Sequence, residues 1–132
     1  MAYRPVTACA RRHVPSQSRD PRSFTPLRPV ELLILMALGS GDRHGYAIRK
    51  EILESTQGKV SIEAGNLYRY IRSLADDGLV TDGAAPVGED AERRVYHRLT
   101  PLGRRVLATE LERLRALVQY AEGQGLIARS KA

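Results

Sequence analysis

Residues 64–80 read AGNLYRYIRSLADDGLV, and this stretch decides the predicted fold. Its apolar residues recur at helical spacing and Gly78 ends the pattern, so a helix is predicted over residues 64–77. The side expected to face the core carries Ala64, Leu67, Tyr68, Ile71, Leu74 and Ala75. The opposite side carries Gly65, Asn66, Arg69, Arg72, Ser73 and Asp76.

The polar side of this helix is short and carries side chains of the kinds that bind bases. Asn66, Arg69 and Ser73 form a stripe at i, i+3 and i+7, with Arg72 beside it. Asn can bond adenine through two hydrogen bonds and Arg can do the same with guanine. A recognition helix presents its N-terminal residues to the major groove of DNA. The alternative is an ordinary solvated face, since Arg and Ser are common on surfaces.

Two further helices are predicted before this stretch. Pro29 suits a first helical turn, and the apolar run that follows it to Leu38 predicts a buried helix that Gly39 ends. A second helix is predicted over about residues 45–55, where His44 is expected to cap or pack.

A hairpin and a last helix are predicted after it. Strands are expected at residues 79–80 and 93–99, joined by a polar stretch rich in Gly and Pro. Alternation puts Val95 and Leu99 on one face, with His97 half-buried among them, and it puts Arg94, Tyr96 and Arg98 on the other. Thr100 followed by Pro101 predicts a helix start, and the pattern runs to about residue 120.

The order of helix, helix, helix, hairpin and helix predicts a mainly α fold of the α+β class, a winged helix-turn-helix with a two-stranded wing. Residues 29–100 form the predicted winged helix domain, and residues 101–132 the predicted C-terminal dimerisation helix and tail. Residues 1–28 are predicted to be a disordered basic arm, because they hold several prolines and no apolar periodicity.

The positive charge of the chain is concentrated in that arm. Residues 1–28 hold six arginines and one acid, so they carry +5 of the formal net charge of +6. Such an arm would add sequence-independent attraction to phosphates, and the alternative is an inert tail. On the predicted wing, Arg93, Arg94 and Arg98 cluster on the returning strand, where they could reach phosphates or a minor groove, or simply be solvated.

The last helix carries Leu107, Leu111, Leu114 and Val118 at spacings of 4, 3 and 4. This is a heptad pattern, and it predicts a helix that pairs with a second copy of the chain. The alternative is packing against the protein's own first helix.

Other classes of function have little support in the sequence. The histidines have no metal-ligand spacing, the single cysteine (Cys9) cannot form an internal disulfide, and no nucleophile or phosphate-loop motif occurs. No apolar run approaches the length of a membrane span. We therefore expect a cytoplasmic protein that is not an enzyme and holds no metal or cofactor.

Three segments resemble the PadR family of transcription regulators. HGYAI at 44–48 is similar to its HGYEI segment, GNLYR at 65–69 with DGLV at 77–80 to its recognition helix and exit, and RVYHRLT at 94–100 with Gly103 to its wing strand and next helix. Asn66 stands where Thr or Ser is usual, Ala64 where Pro is common and His97 where Tyr is common.

The resemblance implies a homodimeric regulator, mostly a repressor, that binds double-stranded DNA and dimerises through one C-terminal helix. It also implies release from DNA by a small aromatic or drug-like effector or by a cell signal, and it allows the Tyr68 hydroxyl to reach a phosphate. Two alternatives stay open: a winged-helix protein–protein interaction module without DNA binding, and a small enzyme or ligand carrier.

Overall fold

The computed structural model of the chain describes residues 19–85 and 95–130. Across these residues the chain forms four α-helices, a short 3-10 helix and three strands. In order they are the 3-10 helix Pro21–Phe24, α1 Pro29–Leu38, β1 Arg43–His44, α2 Gly45–Ser55, α3 Ala64–Asp76, β2 Val80–Asp82, β3 Tyr96–Leu99 and α4 Pro101–Gly123. The four predicted helices are confirmed, and α4 extends a little beyond its predicted end.

Local chemistry explains where two of these helices begin. The Thr100 hydroxyl accepts a hydrogen bond of 2.9 Å from the Gly103 backbone N–H, and Pro101 supplies the first residue of α4. At α2, the predicted cap is confirmed, because Nδ1 of His44 accepts from the Ala47 N–H at 3.1 Å. A Cβ at Gly103 would clash with the Leu79 carbonyl, so glycine lets α4 pack closely against the chain leaving α3.

The core lies where α1 meets the other helices. This helix is central because it contacts α2, α3, α4 and β3. The residues buried most completely there come from every helix: Ile34, Leu35, Leu38, Ile48, Ile52, Leu74 and Val106. The near-continuous apolar run predicted a buried helix at α1, and the structure confirms it.

The sheet has three strands rather than the two of the predicted hairpin. Its order is β1-β3-β2 with antiparallel pairing, so β3 is the central strand. At two residues, β1 is too short to show a period-two pattern, which is why the sequence did not predict it. The predicted face assignment was also wrong: Tyr96 is buried against the His44 ring, with centroids 5.2 Å apart, while Val95 lies before the strand and is 65% exposed.

The predicted disordered arm is wrong for residues 19–28, which we call the strap. Its 3-10 helix packs on α4, and Phe24 is buried in the core. The Leu27 N–H donates to the Glu110 carboxylate at 2.9 Å, and Nη1 of Arg19 donates to the Asp77 carbonyl at 2.9 Å. A single aromatic residue creates no periodicity, so the pattern could not reveal this anchoring. The rest of the arm, residues 1–18, lies outside the described residues.

No helix in the described ranges combines the length and the apolar character needed to cross a membrane.

Candidate nucleic-acid interface

The outer face of α3 presents the polar side chains that the sequence singled out. Leu67, Ile71 and Leu74 are buried on the inner side of the helix. Asn66 and Arg69 are exposed on the outer side, together with Gly65 and Arg72, and Ser73 is half-buried. Among the described residues, no atom beyond the adjacent residues and the helix's own backbone lies within 4 Å of where a Cβ on Gly65 would stand, so a large partner can approach the backbone at the start of α3.

Tyr68 lies on this outer side, and its predicted orientation toward the core was wrong. It is 60% exposed, and the guanidinium carbon of Arg72 lies 6.0 Å from its ring centroid. Ala64 and Ala75, also predicted to face the core, are exposed as well. A helical wheel gives the angles between side chains but not the width of the face that neighbouring helices cover. Here that face is narrow, and the surface that a partner can touch is correspondingly wide.

The base of the wing is fastened to the turn after α1. The Asp42 carboxylate accepts from Nη2 of Arg98 at 2.8 Å and from the Ala84 N–H at 2.8 Å. The bond from Arg98, followed by that from Ala84, lowers the pKa of Asp42 below its ordinary value. A Cβ on Gly83 would stand 2.8 Å from Oδ2 of Asp42, so glycine permits this contact.

This ion pair changes the role expected of one wing arginine. Arg98 was predicted to be a cation available to phosphates, but its charge is balanced by Asp42. Arg93 and Arg94 lie outside the described residues. His97 is half-buried, as predicted, and burial lowers the pKa of its imidazole, so the neutral ring is favoured.

The predicted dimerisation residues divide into two groups along α4. Leu107 is half-buried and packs against the core, so it serves the chain's own fold. Leu111 is 38% and Val118 47% exposed, and Leu114 is half-buried. The structure describes α4 throughout, and no residue of this helix beyond Glu110 is buried. The distal half carries an apolar strip, exposed except at the half-buried Leu114, consisting of Leu111, Leu114, Leu117 and Val118.

Glu110, which the sequence analysis did not single out, connects α4 to the strap. Its side chain is almost fully buried, pairs with Arg113 at 2.7 Å and accepts from the Leu27 N–H. The Arg113 hydrogen bond is the main cause that lowers the pKa of Glu110, and it outweighs the opposing effect of burial. A Glu–Arg pair at i, i+3 usually lies on a helix surface, so the sequence gives no signal that this carboxylate is buried.

Within the described residues, no group of three or more His, Cys, Asp or Glu side chains could hold a metal ion. The arrangement instead offers an exposed helix face with hydrogen-bond donors, a fastened wing base and an apolar strip.

Comparison with known proteins agrees with this arrangement. The model of the transcriptional regulator PadR-like family matches residues 34–109. No curated protein sequence is significantly similar to the chain.

Several solved structures share the fold. A PadR family transcription regulator from Clostridium difficile has a TM-score of 0.60 at 21% identity, covering 74% of this chain and 98% of its own. The complex structure hsRosR-S4 has a TM-score of 0.59 at 25% identity, covering 81% and 98%, and RosR is a protein of H. salinarum. Bacillus subtilis PadR in complex with operator DNA has a TM-score of 0.55 at 27% identity, covering 65% of this chain and 47% of its own. The chain therefore has the winged helix fold of these regulators.

Proposed function

The chain belongs to the transcriptional regulator PadR-like family, and we propose that it binds double-stranded DNA as a homodimer. In this proposal α3 enters the major groove and reads the sequence, while cations around it hold the phosphates. The protein acts in the cytoplasm as a repressor, and a small aromatic or drug-like effector or another cell signal releases it from DNA.

The observation that carries this proposal is the exposed face at the start of α3. Arg69 is exposed, and no carboxylate of residues 19–85 or 95–130 is paired with it. An arginine on a helix surface is usually solvated by water. Here Arg69 lies near the exposed side chain of Asn66 and near Gly65, where the backbone is accessible to a partner. These are the groups that bind base edges, at the end of the helix that enters the groove.

The spacing of the two proposed base readers suits neighbouring base pairs. Asn66 and Arg69 are three residues apart, which is about 4.5 Å along a helix axis. Successive base pairs are about 3.4 Å apart along each strand. The two side chains can therefore address adjacent base pairs from one helix face, with Ser73 a further turn along.

Phosphate contacts are assigned to the wing and to the N-terminal residues. Arg93 and Arg94, which the sequence predicts on the returning strand of the wing, and the arginines within residues 1–18 would contact the backbone and carry no sequence information. Arg98 belongs to a different class, because Asp42 already balances its charge. The resemblance to Bacillus subtilis PadR, whose structure is a complex with operator DNA, supports this general assignment.

Dimerisation is assigned to the apolar strip of α4. Apolar side chains exposed on one helix face favour association with an equivalent face, which gives a two-fold symmetric dimer. Such a dimer would present two copies of α3, so its preferred site should consist of two half-sites related by a two-fold axis.

A binding titration with the DNA upstream of the protein's own gene tests the proposal. We expect this duplex to be bound more tightly than a scrambled duplex of equal length and composition, at the same salt concentration. Binding to neither duplex, even at low salt, would contradict it and favour the protein–protein interaction module. Equal binding to both would leave a DNA-binding protein without the proposed sequence preference.

A further inference from the structure

A cleft beside α3 is lined in part by Arg28, a cation that does not belong to α3. It has a volume of about 360 Å³ and lies between the start of α1 and α3, and it is lined by Arg28, Glu31, Asn66, Arg69, Tyr70 and Ser73. We propose that this cleft binds a backbone phosphate of the DNA through the guanidinium group of Arg28, beside the base-reading face that carries Asn66 and Arg69. The inference rests on the proposed function and adds a contact to it.

The strap places Arg28 at this cleft and restrains it there. The Leu27 N–H, one residue earlier, donates to the buried Glu110 carboxylate, and Phe24 is buried three residues before that. At the other end of the strap, Arg19 bonds the Asp77 carbonyl just past the end of α3. Arg28 itself is the N-cap residue of α1, so the first turn of that helix also fixes its backbone. An arginine whose backbone is already fixed loses less conformational entropy when it binds than an arginine on a free arm, so Arg28 is the better ligand.

The chemistry of the cleft favours a phosphate. Arg28 is exposed at the cleft, and its guanidinium group can donate two parallel hydrogen bonds to a phosphate. The Tyr70 hydroxyl adds an uncharged donor, and the positive charge of Arg69 also favours an anion near the cleft. Because Asn66 and Arg69 belong to the proposed base-reading face, an anion in this cleft would belong to the same DNA molecule.

One carboxylate opposes this anion. Glu31 lines the cleft, and its Oε1 accepts from the backbone N–H of Arg28 at 3.0 Å. This bond caps α1 and draws the carboxylate toward the backbone, but its negative charge remains near the proposed phosphate. Removing the charge of Glu31 should therefore strengthen DNA binding, whereas removing the charge of Arg28 should weaken it.

The test compares Arg28→Ala with Arg22→Ala on intact protein. Arg22 has the same charge and lies on the same strap, but it is paired with Asp20 at 3.0 Å and does not line the cleft. Both variants lower the net charge by one. A difference in DNA affinity between them therefore reflects where the arginine lies rather than the loss of one charge. Affinity is measured across a salt series with the preferred duplex and with the scrambled duplex.

Arg28→Ala should weaken both duplexes by roughly 5- to 10-fold at about 0.1 M salt and reduce the slope of log K against log salt by about 0.9, the value for one phosphate. Arg22→Ala should have a clearly smaller effect on both quantities. Glu31→Gln keeps an acceptor for the Arg28 N–H and removes the negative charge, so it should strengthen binding to both duplexes.

Equal effects of Arg28→Ala and Arg22→Ala would overturn the inference and leave the proposed function intact. A loss at Arg28 confined to the preferred duplex would also overturn it, because Arg28 would then be reading a base. If the unmodified protein binds neither duplex, the proposed function fails, and this inference fails with it.

Discussion

Two helices of this chain present an uncovered face to solvent, and the two faces differ in chemistry. The outer face of α3 is polar and cationic, with Asn66 and Arg69 exposed. The distal half of α4 carries the apolar strip, in which Leu117 is 52% exposed. Water solvates the first face well and the second poorly, so the first requires no partner for stability. Burial of the apolar strip on α4 by a partner is favourable, since full burial of one aliphatic side chain contributes about 1.5–3 kcal/mol of free energy.

This difference also predicts how each face responds to mutation. An apolar interface between two copies of a chain fails as a unit when a charge is buried in it. Contacts from a polar face to DNA are lost one at a time, each with a moderate cost. The expected effects of mutation therefore decrease from association of the chain to the loss of a single hydroxyl.

The largest effect is expected where the apolar strip is made charged. Replacing Leu111 and Leu114 by Lys would bury two ammonium groups in the proposed dimer interface, so sedimentation should show monomers in place of dimers. Ala116→Lys is the control, because Ala116 is exposed on the opposite side of the same helix. If the double variant remains a well-folded dimer while its thermal stability is unchanged, the strip does not mediate dimerisation.

The next prediction concerns Glu110, the last buried residue of α4. Glu110→Gln keeps an acceptor for the Leu27 N–H but leaves Arg113 without its anion, so the free energy of unfolding should fall by about 1–3 kcal/mol at neutral pH. Glu112→Gln is the control, because Glu112 and Arg115 form a pair at the same i, i+3 spacing with both side chains 67% exposed. That pair should contribute less than about 0.5 kcal/mol.

The pH dependence of this effect has a definite sign. The pKa of Glu110 is lowered in the folded protein, so its stabilising contribution is present above the pKa of the unfolded chain. It is lost as pH falls through the lowered folded value. Denaturant titrations should therefore show the difference between the wild type and Glu110→Gln shrinking as pH falls below about 4.5, toward zero in strong acid. A difference that stays constant over that range would exclude the ionised pair as its cause.

Helices α3 and α4 also illustrate how much of the structure the sequence alone could predict. Periodicity located α1 to α4, because a helix that packs on a core must repeat its apolar residues at short range. It also placed Asn66 and Arg69 on the outer face of α3. It misjudged Tyr68, since the width of the covered face depends on neighbouring elements rather than on α3 itself.

Contacts between distant parts of the chain were beyond such reasoning. Leu27 and Glu110 are 83 residues apart, and Asp42 and Arg98 are 56 residues apart. Neither pair leaves a local pattern, so the strap was predicted as disordered and Arg98 as an available cation. The charge of Arg98 was identified but its partner was not, and Glu110 was not singled out, because tertiary packing sets both contacts.

On the α3 side of the comparison, Arg69→Ala should cost about 1–3 kcal/mol of binding free energy on the preferred duplex if Arg69 bonds guanine at two positions. Preference at one base pair should relax, and thermal stability should be unchanged because Arg69 is exposed. Arg94→Ala is the contrast, since a phosphate contact should weaken all sequences about equally. Titrations on duplexes with single base-pair changes separate the two. Equal losses on matched and scrambled duplexes for Arg69→Ala would make it a phosphate contact and leave Asn66 and Ser73 as candidate readers.

The smallest effect is expected at Tyr68, and it tests how wide the α3 face is. Tyr68 is 60% exposed and Tyr96 is 8% exposed, so Tyr96→Ala should lower the melting temperature strongly and Tyr68→Ala should scarcely change it. If Tyr68 lies in the interface, Tyr68→Ala should instead weaken binding to DNA. Tyr68→Phe removes only the hydroxyl and should cost about 0.5–1.5 kcal/mol, equally on preferred and scrambled duplexes, if that hydroxyl donates to a phosphate. Unchanged binding in both variants would place Tyr68 outside the interface and restrict the DNA-contacting face to the side of α3 that carries Asn66 and Arg69.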